Sequence, residues 1–268
     1  MSIRSRVGII GGTGWLGRSI AQALVDSGFI TPGALTLSNR TGVWAQAPAS
    51  LAEVAITASN QALIDTSDVI ILSVRPEDLN ALRLDASGKL LISLVAGAAL
   101  SDLQAHTGCR RIVRAMPNAA LEIRRSYTPW LASAEVEQQD RAYVQALFDT
   151  CGQADEVFSE AHLNYLTGLV GTGPSYPALL AQALFDNAIA QGLPEAVARR
   201  AAAGVVVHAS QLITEQRGFD ELLDALIGYR GVSAAGIQGM RDAGLERCVN
   251  AGLGAAMKVA ESQLFKPD

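Results

Sequence analysis

The chain has 268 residues, which is enough for one large domain or two small ones. Hydrophobic residues make up 49% and charged residues 18%, so a core can be buried and wholesale disorder is not expected. The net charge of −5 provides no broad positive surface for nucleic acid or for an anionic membrane. The composition therefore predicts a globular protein that binds neither.

Cysteine and histidine are too scarce for a disulfide framework or a zinc cluster. Cys109, Cys151 and Cys248 are far apart, and no C-x-x-C motif occurs. The N-terminus lacks the long apolar stretch of a signal peptide. The most apolar window, residues 90–100, is about half the length of a membrane-spanning helix. We expect a cytoplasmic protein without a metal site.

The first half of the chain alternates short apolar runs with helical patterns. Strands are predicted at residues 6–10, 35–38, 54–56, 68–74, 90–94, 111–114, 127–132 and 154–158, and helices at residues 15–27, 99–107 and 135–150. Continuous apolar runs are typical of strands that are covered on both faces, as in a parallel sheet. The order predicts a doubly wound α/β sheet.

The second half has a different composition, rich in alanine, leucine and glycine. Helical stretches are predicted within residues 161–185, 196–213 and 245–264, and no convincing strand follows residue 160. Small residues on several faces indicate helices packed closely on other helices, within the chain or on another subunit. We therefore predict a nucleotide-binding domain over residues 1–160 and an all-helical domain over residues 161–268.

A glycine-rich turn lies between the first strand and the first helix. Residues 11–17 (GGTGWLG) place Gly12, Gly14 and Gly17 in a G-x-G-x-x-G pattern. Such glycines let the backbone approach a pyrophosphate, which then meets free N–H groups at the positive end of the helix dipole. Because the pattern lies between a strand and a helix, it predicts a dinucleotide site.

The end of the second strand indicates which dinucleotide is bound. An acidic residue that would hold a free ribose 2′-hydroxyl is missing there, and Arg40 stands among Ser38, Asn39 and Thr41 instead. A guanidinium group offers forked donors to phosphate oxygens, so we predict NADP(H) over NAD(H), with NAD(H) still possible. The alternative is that Arg40 is simply a solvated residue.

Further motifs, in order along the chain, resemble those of the pyrroline-5-carboxylate reductase family. They are residues 74–76 (VRP), 93–97 (SLVAG), 114–118 (RAMPN), 171–176 (GTGPSY) and 191–194 (QGLP), where the family uses V-K-P, a Ser…Ala-Ala-Gly segment, R-x-M-P-N, G-S-G-P-A-Y and G-L-P. The resemblance covers nearly the whole chain. It implies a Rossmann-type domain followed by a helical dimerisation domain, in a homodimer or a ring of dimers. It also implies reduction of the small-molecule imino acid 1-pyrroline-5-carboxylate to proline with NAD(P)H.

Site residues follow from the turn and from the resemblance. The cofactor is assigned to Gly12, Thr13, Gly14, Trp15, Leu16, Ser38, Asn39, Arg40, Thr41, Asn60, Ser73, Val74, Arg75, Pro76, Leu94, Val95, Ala96, Pro117 and Asn118. The substrate is assigned to Arg230, Gly231, Val232 and Ser233, with Ser233 as the catalytic residue. In the family, the last threonine of the substrate loop offers its hydroxyl to the ring nitrogen, and loop amides hold the carboxylate.

The chain departs from the family pattern at several places. The glycine turn is longer by a residue, alanines follow Asn118 in place of Thr-Pro, residues 122–125 (EIRR) replace Val-Gly-x-Gly, and Gln182 replaces a glutamate. The substrate loop, T-S-P-G-G-T-T in the family, is IGYRGVS over residues 227–233. Ser233 keeps a hydroxyl at the position of the last threonine.

The altered loop leaves several roles open. Arg230 is either a clamp for a carboxylate or a solvent-facing side chain, and Tyr229 is either a pocket wall or an interface aromatic. Ser233 is either the partner of the ring nitrogen or a helix N-cap. Two other functions also remain: reduction of a different cyclic imino acid, and cofactor binding without turnover.

Overall fold

The computed structural model describes residues 5–214 and 218–261. Short apolar runs form the central strands, and all four residues are buried in β1 (Val7–Ile10), β4 (Val69–Leu72) and β5 (Leu90–Ser93). The other strands are β2 (Leu35–Ser38), β3 (Ala55–Thr57), β6 (Arg111–Ala115), β7 (Ser126–Ala132) and β8 (Gly152–Glu156). The helices interleaved with them are α1 (Trp15–Asp26), α2 (Asn60–Asp65), α3 (Pro76–Leu79), α4 (Leu100–Thr107) and α5 (Gln138–Asp149).

The strands form one sheet in the order β3-β2-β1-β4-β5-β6-β7-β8. Every neighbouring pair is parallel except β6 and β7, which are antiparallel. Ile10 pairs with Ser38 on one side and with Leu72 on the other, so the segments that follow β1, β2 and β4 leave the sheet at the same edge. The strand order reverses between β1 and β4, and in open α/β sheets this point forms a ligand crevice.

Helices cover both faces of the sheet. Ile9 and Ile71 belong to one buried cluster with residues of α1 and α5, whereas Ile70 and Leu72 belong to a second cluster with residues of α2 and α4. Alternate side chains of a strand point to opposite faces, so each strand contributes to both clusters. This arrangement is the predicted doubly wound sheet.

The described residues after 160 are helical and contain no strand. The α-helices are α6 (Glu160–Leu166), α7 (Ser175–Ala190), α8 (Glu195–Ala203), α9 (Phe219–Gly228), α10 (Val232–Asp242) and α11 (Leu245–Glu261). The stretch predicted over residues 196–213 leaves the α conformation after Ala203, with a π-helical segment at Gly204–His208. A glycine followed by three valines is a weak α-helix former. The last residues of the helix predicted to end at 264 lie outside the described residues.

The chain divides into two compact units. Residues Pro174 to Leu253 form one, and the described residues up to Gly173 together with those from Gly254 onward form the other. α11 thus contributes to both units. In the described ranges, no helix is both long enough and apolar enough to span a membrane.

Candidate cofactor and substrate sites

The glycine turn after β1 is built so that only glycine fits at its first position. Gly11 has a φ of +75°, and a Cβ there would lie 2.3 Å from the carbonyl oxygen of Ser73. The N–H of Gly12 donates to the carbonyl oxygen of Ser38 at 3.0 Å, which ties the turn to the end of β2. The backbone of the turn therefore lies directly against the ends of β2 and β4.

α1 begins immediately after this turn, and its N-terminus is suited to an anion. Gly14 occupies the N-cap position with extended backbone, no side chain caps the helix, and its first turn carries no acidic residue. The first N–H groups of a helix have no intrahelical partner, and the helix dipole makes this end positive. A pyrophosphate would find backbone donors here and no acidic side chain from the first turn of α1 itself.

A cleft of about 680 Å³ opens beside the turn, at the edge of the sheet where β1, β2 and β4 end. Its lining includes the predicted cofactor residues Thr13, Gly14, Ser38, Asn39, Arg40, Asn60, Ser73, Val74 and Arg75. A smaller cleft of about 300 Å³ is lined by Gly14, Trp15, Leu16, Ser73, Val74, Arg75 and Leu94. The two clefts share Gly14 and residues 73–75, so they meet at the glycine turn.

Other residues predicted to hold the cofactor do not line these two clefts in the described structure. They are Gly12, Thr41, Pro76, Val95, Ala96, Pro117 and Asn118. The amide of Asn118 is engaged elsewhere: its Nδ2 donates to the carbonyl oxygen of Val170 at 3.1 Å, and its Oδ1 accepts from the N–H of Ala120 at 2.9 Å. The cofactor roles of these residues stay predictions.

The far end of the larger cleft carries polar side chains from three elements. Ser38 donates to Oδ1 of Asn60 at 2.7 Å, which links the end of β2 to the first residue of α2. Arg40, 87% exposed, forms an ion pair with Asp78 of α3 at 2.8 Å. The sequence does not indicate Asp78 as part of this site, because the acidic residue typical of such clefts follows β2, whereas Asp78 belongs to α3. The only sequence feature that indicates Asp78 is its position two residues after the VRP motif.

At the other side of the turn, the connection between β6 and β7 attaches to α1. The indole N–H of Trp15 donates to Oε2 of Glu122 at 3.2 Å. Arg124 forms an ion pair with Asp26, the last residue of α1, at 2.5 Å. Residues 122–125, which depart from the family pattern, therefore contact both ends of the helix that begins at the glycine turn.

The arginine of the RAMPN motif is a structural residue in this protein. Arg114 is 2% exposed, and its guanidinium contacts Oε1 of Glu160 at 2.5 Å and Oδ1 of Asn164 at 3.2 Å. The same oxygen of Glu160 accepts from the N–H of Leu100 at 3.0 Å. Arg114 thus joins β6 to the start of α6, and Glu160 extends the link to α4.

The segment predicted to hold the substrate lies between α9 and α10. Arg230 has a φ of +48°, in the left-handed region, and Gly231 is the N-cap of α10. Ser233 is the second residue of that helix, so the alternative that it caps the helix is wrong. Its hydroxyl is exposed and makes no side-chain hydrogen bond within the described ranges. Tyr229 is also exposed in the single chain.

The two buried thiols are not activated as nucleophiles, and the described residues contain no metal-ligating cluster. Burial raises the pKa of Cys151 to about 11 and also raises the pKa of Cys109, so both stay protonated at neutral pH. Over residues 5–214 and 218–261, no group of three His, Cys, Asp or Glu side chains could hold a metal ion.

Comparisons with known proteins agree with this geometry. Residues 160–263 match the family model described as pyrroline-5-carboxylate reductase dimerisation, and residues 6–97 match the model described as NADP oxidoreductase, coenzyme F420-dependent. A solved structure of a pyrroline-5-carboxylate reductase from Coxiella burnetii superposes with a TM-score of 0.84 at 26% identity, covering 98% of this chain and 99% of that chain. The predicted fold class, a Rossmann-type sheet domain followed by a helical dimerisation domain, is confirmed.

Curated relatives show the family. The pyrroline-5-carboxylate reductase of Synechocystis sp. is 28% identical over 263 residues, which is 96% of this chain and 97% of the relative. The pyrroline-5-carboxylate reductase of Thermus thermophilus is 32% identical over 209 residues, 75% of this chain and 77% of the relative. On this identity, together with the matching fold and the matching family model, the chain belongs to the pyrroline-5-carboxylate reductase family.

Proposed function

We propose that the protein reduces 1-pyrroline-5-carboxylate to L-proline, with NADPH as the hydride donor. The observation that carries the proposal is the 32% identity over 209 residues to a Thermus thermophilus protein named as this reductase. The cleft at the reversal point of the sheet supports it independently, because dinucleotides bind at such points. The family description of residues 6–97 as an NADP oxidoreductase supports the predicted cofactor.

The residues of the cleft fit a phosphorylated dinucleotide. The uncapped start of α1 suits a pyrophosphate, and the glycine turn that leads into it lines the cleft. Arg40 suits the adenosine 2′-phosphate, and Trp15, Leu16 and Leu94 line the smaller cleft with apolar side chains. The role of Ser38 stays a prediction, because its hydroxyl is buried and donates to Asn60. When bound, NADPH supplies the hydride; the protein supplies binding and orientation.

The substrate residues are proposed from their chemistry. An imine carbon accepts a hydride readily only when its nitrogen is protonated or hydrogen-bonded, and the hydroxyl of Ser233 is the proposed partner of that nitrogen. The backbone N–H groups of Gly231 and Val232, at the start of α10, would hold the carboxylate together with Arg230. These groups act by positioning and by electrostatics rather than by forming a bond to the substrate.

The assembly is proposed to be a homodimer or a ring of dimers, formed through the helical half of the chain. The family model of residues 160–263 describes dimerisation, and α7 buries none of its residues within a single chain although most of them are apolar. The division into a cofactor domain of residues 1–160 and a dimerisation and substrate domain of residues 161–268 stays a prediction, as does the cytoplasmic location.

The proposal is tested by following NADPH oxidation with 1-pyrroline-5-carboxylate and with a small panel of other cyclic imines. We expect the pyrroline substrate to give the highest kcat/KM, with proline as the product. Activity on a different imine alone would favour the second candidate, which the rewritten loop at residues 227–233 supports. NADPH binding without turnover on any imine would favour a cofactor-binding protein without catalytic activity.

A further inference from the structure

The larger cleft contains a carboxylate beside Arg40, the residue proposed to bind the adenosine 2′-phosphate. Asp78 and Arg40 both line the cleft, and their side chains form an ion pair with Nη2 of Arg40 2.8 Å from Oδ1 of Asp78. Arg40 is also the residue best suited to the adenosine 2′-phosphate. A phosphate group that approaches Arg40 therefore meets a side chain that already has an anionic partner.

The two partners differ in exposure, and this difference decides which of them can move. Arg40 is 87% exposed at the mouth of the cleft, whereas Asp78 is 37% exposed and belongs to α3. A long, solvated arginine can turn from one partner to another at little cost. The carboxylate of Asp78 is held by its helix, so it remains near the phosphate even after the arginine turns away.

A carboxylate at this end of a dinucleotide cleft also has a favourable ligand. An acidic side chain that accepts a hydrogen bond from the ribose 2′-hydroxyl is the usual basis for binding the unphosphorylated cofactor. Here the carboxylate comes from α3 rather than from the end of β2. The cleft thus combines an arginine suited to NADPH with a carboxylate suited to NADH.

We propose that Asp78 is a specificity-determining residue that reduces the preference for NADPH over NADH. It does so by competing for Arg40, by repelling the 2′-phosphate, and by accepting from the free 2′-hydroxyl of NADH. The inference rests on the proposed function only in assuming that the cleft binds a nicotinamide dinucleotide.

The test is direct titration of the full-length protein with NADPH and with NADH, followed by the fluorescence of the reduced nicotinamide and without any imine. Asp78→Asn keeps the shape of the side chain and removes its charge. We expect the Kd for NADPH to fall about fivefold and the Kd for NADH to stay equal or rise, so that their ratio shifts in favour of NADPH. Glu53→Gln is the matched control, because Glu53 is an exposed acid outside the cleft and the charge change is the same.

A second variant separates competition for Arg40 from simple repulsion. In an Arg40→Ala background, the gain in NADPH affinity from Asp78→Asn is expected to shrink to about twofold. Arg40→Ala alone is expected to weaken NADPH much more than NADH.

Two results would overturn the inference: an unchanged ratio of the two Kd values in Asp78→Asn, or weaker NADPH binding, which would mean that Asp78 holds Arg40 in place for the phosphate. A protein that binds NADPH but reduces no pyrroline-5-carboxylate would instead overturn the proposed function, and the ratio of the Kd values would still decide the role of Asp78.

Discussion

Arg230 shows at the scale of a single residue how a family motif reflects backbone geometry. The family loop resembled by residues 227–233 has a glycine where this chain has Arg230, and the backbone there has a φ of +48°. A non-glycine residue in the left-handed region costs about 1–2 kcal/mol. Strained positions of this kind cluster at functional sites, which supports the proposal that the guanidinium binds the substrate carboxylate.

The hydroxyl of Ser233 is expected to matter more for turnover than for binding. Ser233→Ala should lower kcat on 1-pyrroline-5-carboxylate by at least about tenfold, because it removes a hydrogen bond that strengthens as the imine is reduced. Ser233→Thr keeps the hydroxyl and should retain most of the activity. Steady-state kinetics check both variants, with Ser101→Ala, an exposed serine of α4, as the control. An unchanged kcat in Ser233→Ala would remove this residue from the catalytic site.

At the scale of elements, two glycines that flank or follow α1, Gly11 and Gly28, allow the effect of a steric clash to be separated from the effect of a positive φ. Gly11 and Gly28 have nearly equal φ values of +75° and +73°, but a Cβ would clash with Ser73 at Gly11 and would meet nothing within 4 Å at Gly28. Gly28→Ala should therefore lower the free energy of unfolding by about 1 kcal/mol and leave NADPH affinity unchanged. Gly11→Ala should lower it by about 3 kcal/mol and weaken NADPH binding, because the turn itself must move.

Urea unfolding and NADPH titration measure the two effects separately. Equal losses of stability in the two variants would mean that the close approach of Gly11 to Ser73 contributes nothing beyond the strain of a positive φ. Unchanged NADPH affinity in Gly11→Ala would contradict the role of the turn in binding the pyrophosphate.

The elements differ in how well the sequence predicts them. The run DVIILSV marks β4 because a strand covered on both faces has no polar alternation, and the observed strand, Val69–Leu72, lies within it. The short helices α2 and α3 were not predicted, since four to six residues are too few to show a helical period. Asp78 was missed for a related reason: its partner Arg40 is 38 residues away in sequence, and only the pairing of β1 with both β2 and β4 brings them together.

The candidate site was predictable to the extent that it is made of local motifs. Most residues of the glycine turn and residues 73–75 line the clefts, because each segment directly follows a strand; their contact with the cofactor stays a prediction. Asn118 was assigned to the cofactor by resemblance, and its bond to the carbonyl oxygen of Val170 could not be foreseen, since that contact depends on how the segment at Thr167–Gly171 folds back. Tertiary contacts of this kind leave no local signature.

At the scale of the whole molecule, the helical half exposes many apolar side chains in the single chain. Exposed examples include Leu179, Leu180, Val205, Val207, Val232, Met240 and Val249. An apolar surface of this extent is typical of a subunit interface. Burial by a second copy would account for a helix such as α7, which has no buried residue of its own.

A charge placed on this surface should weaken the assembly. Leu179, 71% exposed, is the chosen position, and Leu179→Glu would put a carboxylate on each side of a twofold interface. We expect sedimentation velocity to show a shift towards monomer, with the dimer dissociation constant raised at least about tenfold. Gln139→Glu, at an exposed polar position of α5 in the sheet domain, is the control and should leave the assembly intact. A Leu179→Glu variant that sediments like the wild type would place the interface elsewhere.

The pairing of Arg114 with Glu160 has a consequence for biosynthesis. The guanidinium is enclosed within the sheet half of the molecule, yet its counter-ion is 46 residues further along the chain. During translation, β6 leaves the ribosome before Glu160 does. If β6 were fully buried at that stage, the guanidinium of Arg114 would be buried without its carboxylate partner, which costs several kcal/mol. The sheet can therefore close fully only after translation has passed Glu160. A fragment that ends before Glu160 is therefore expected to have a less stable sheet domain than the full chain.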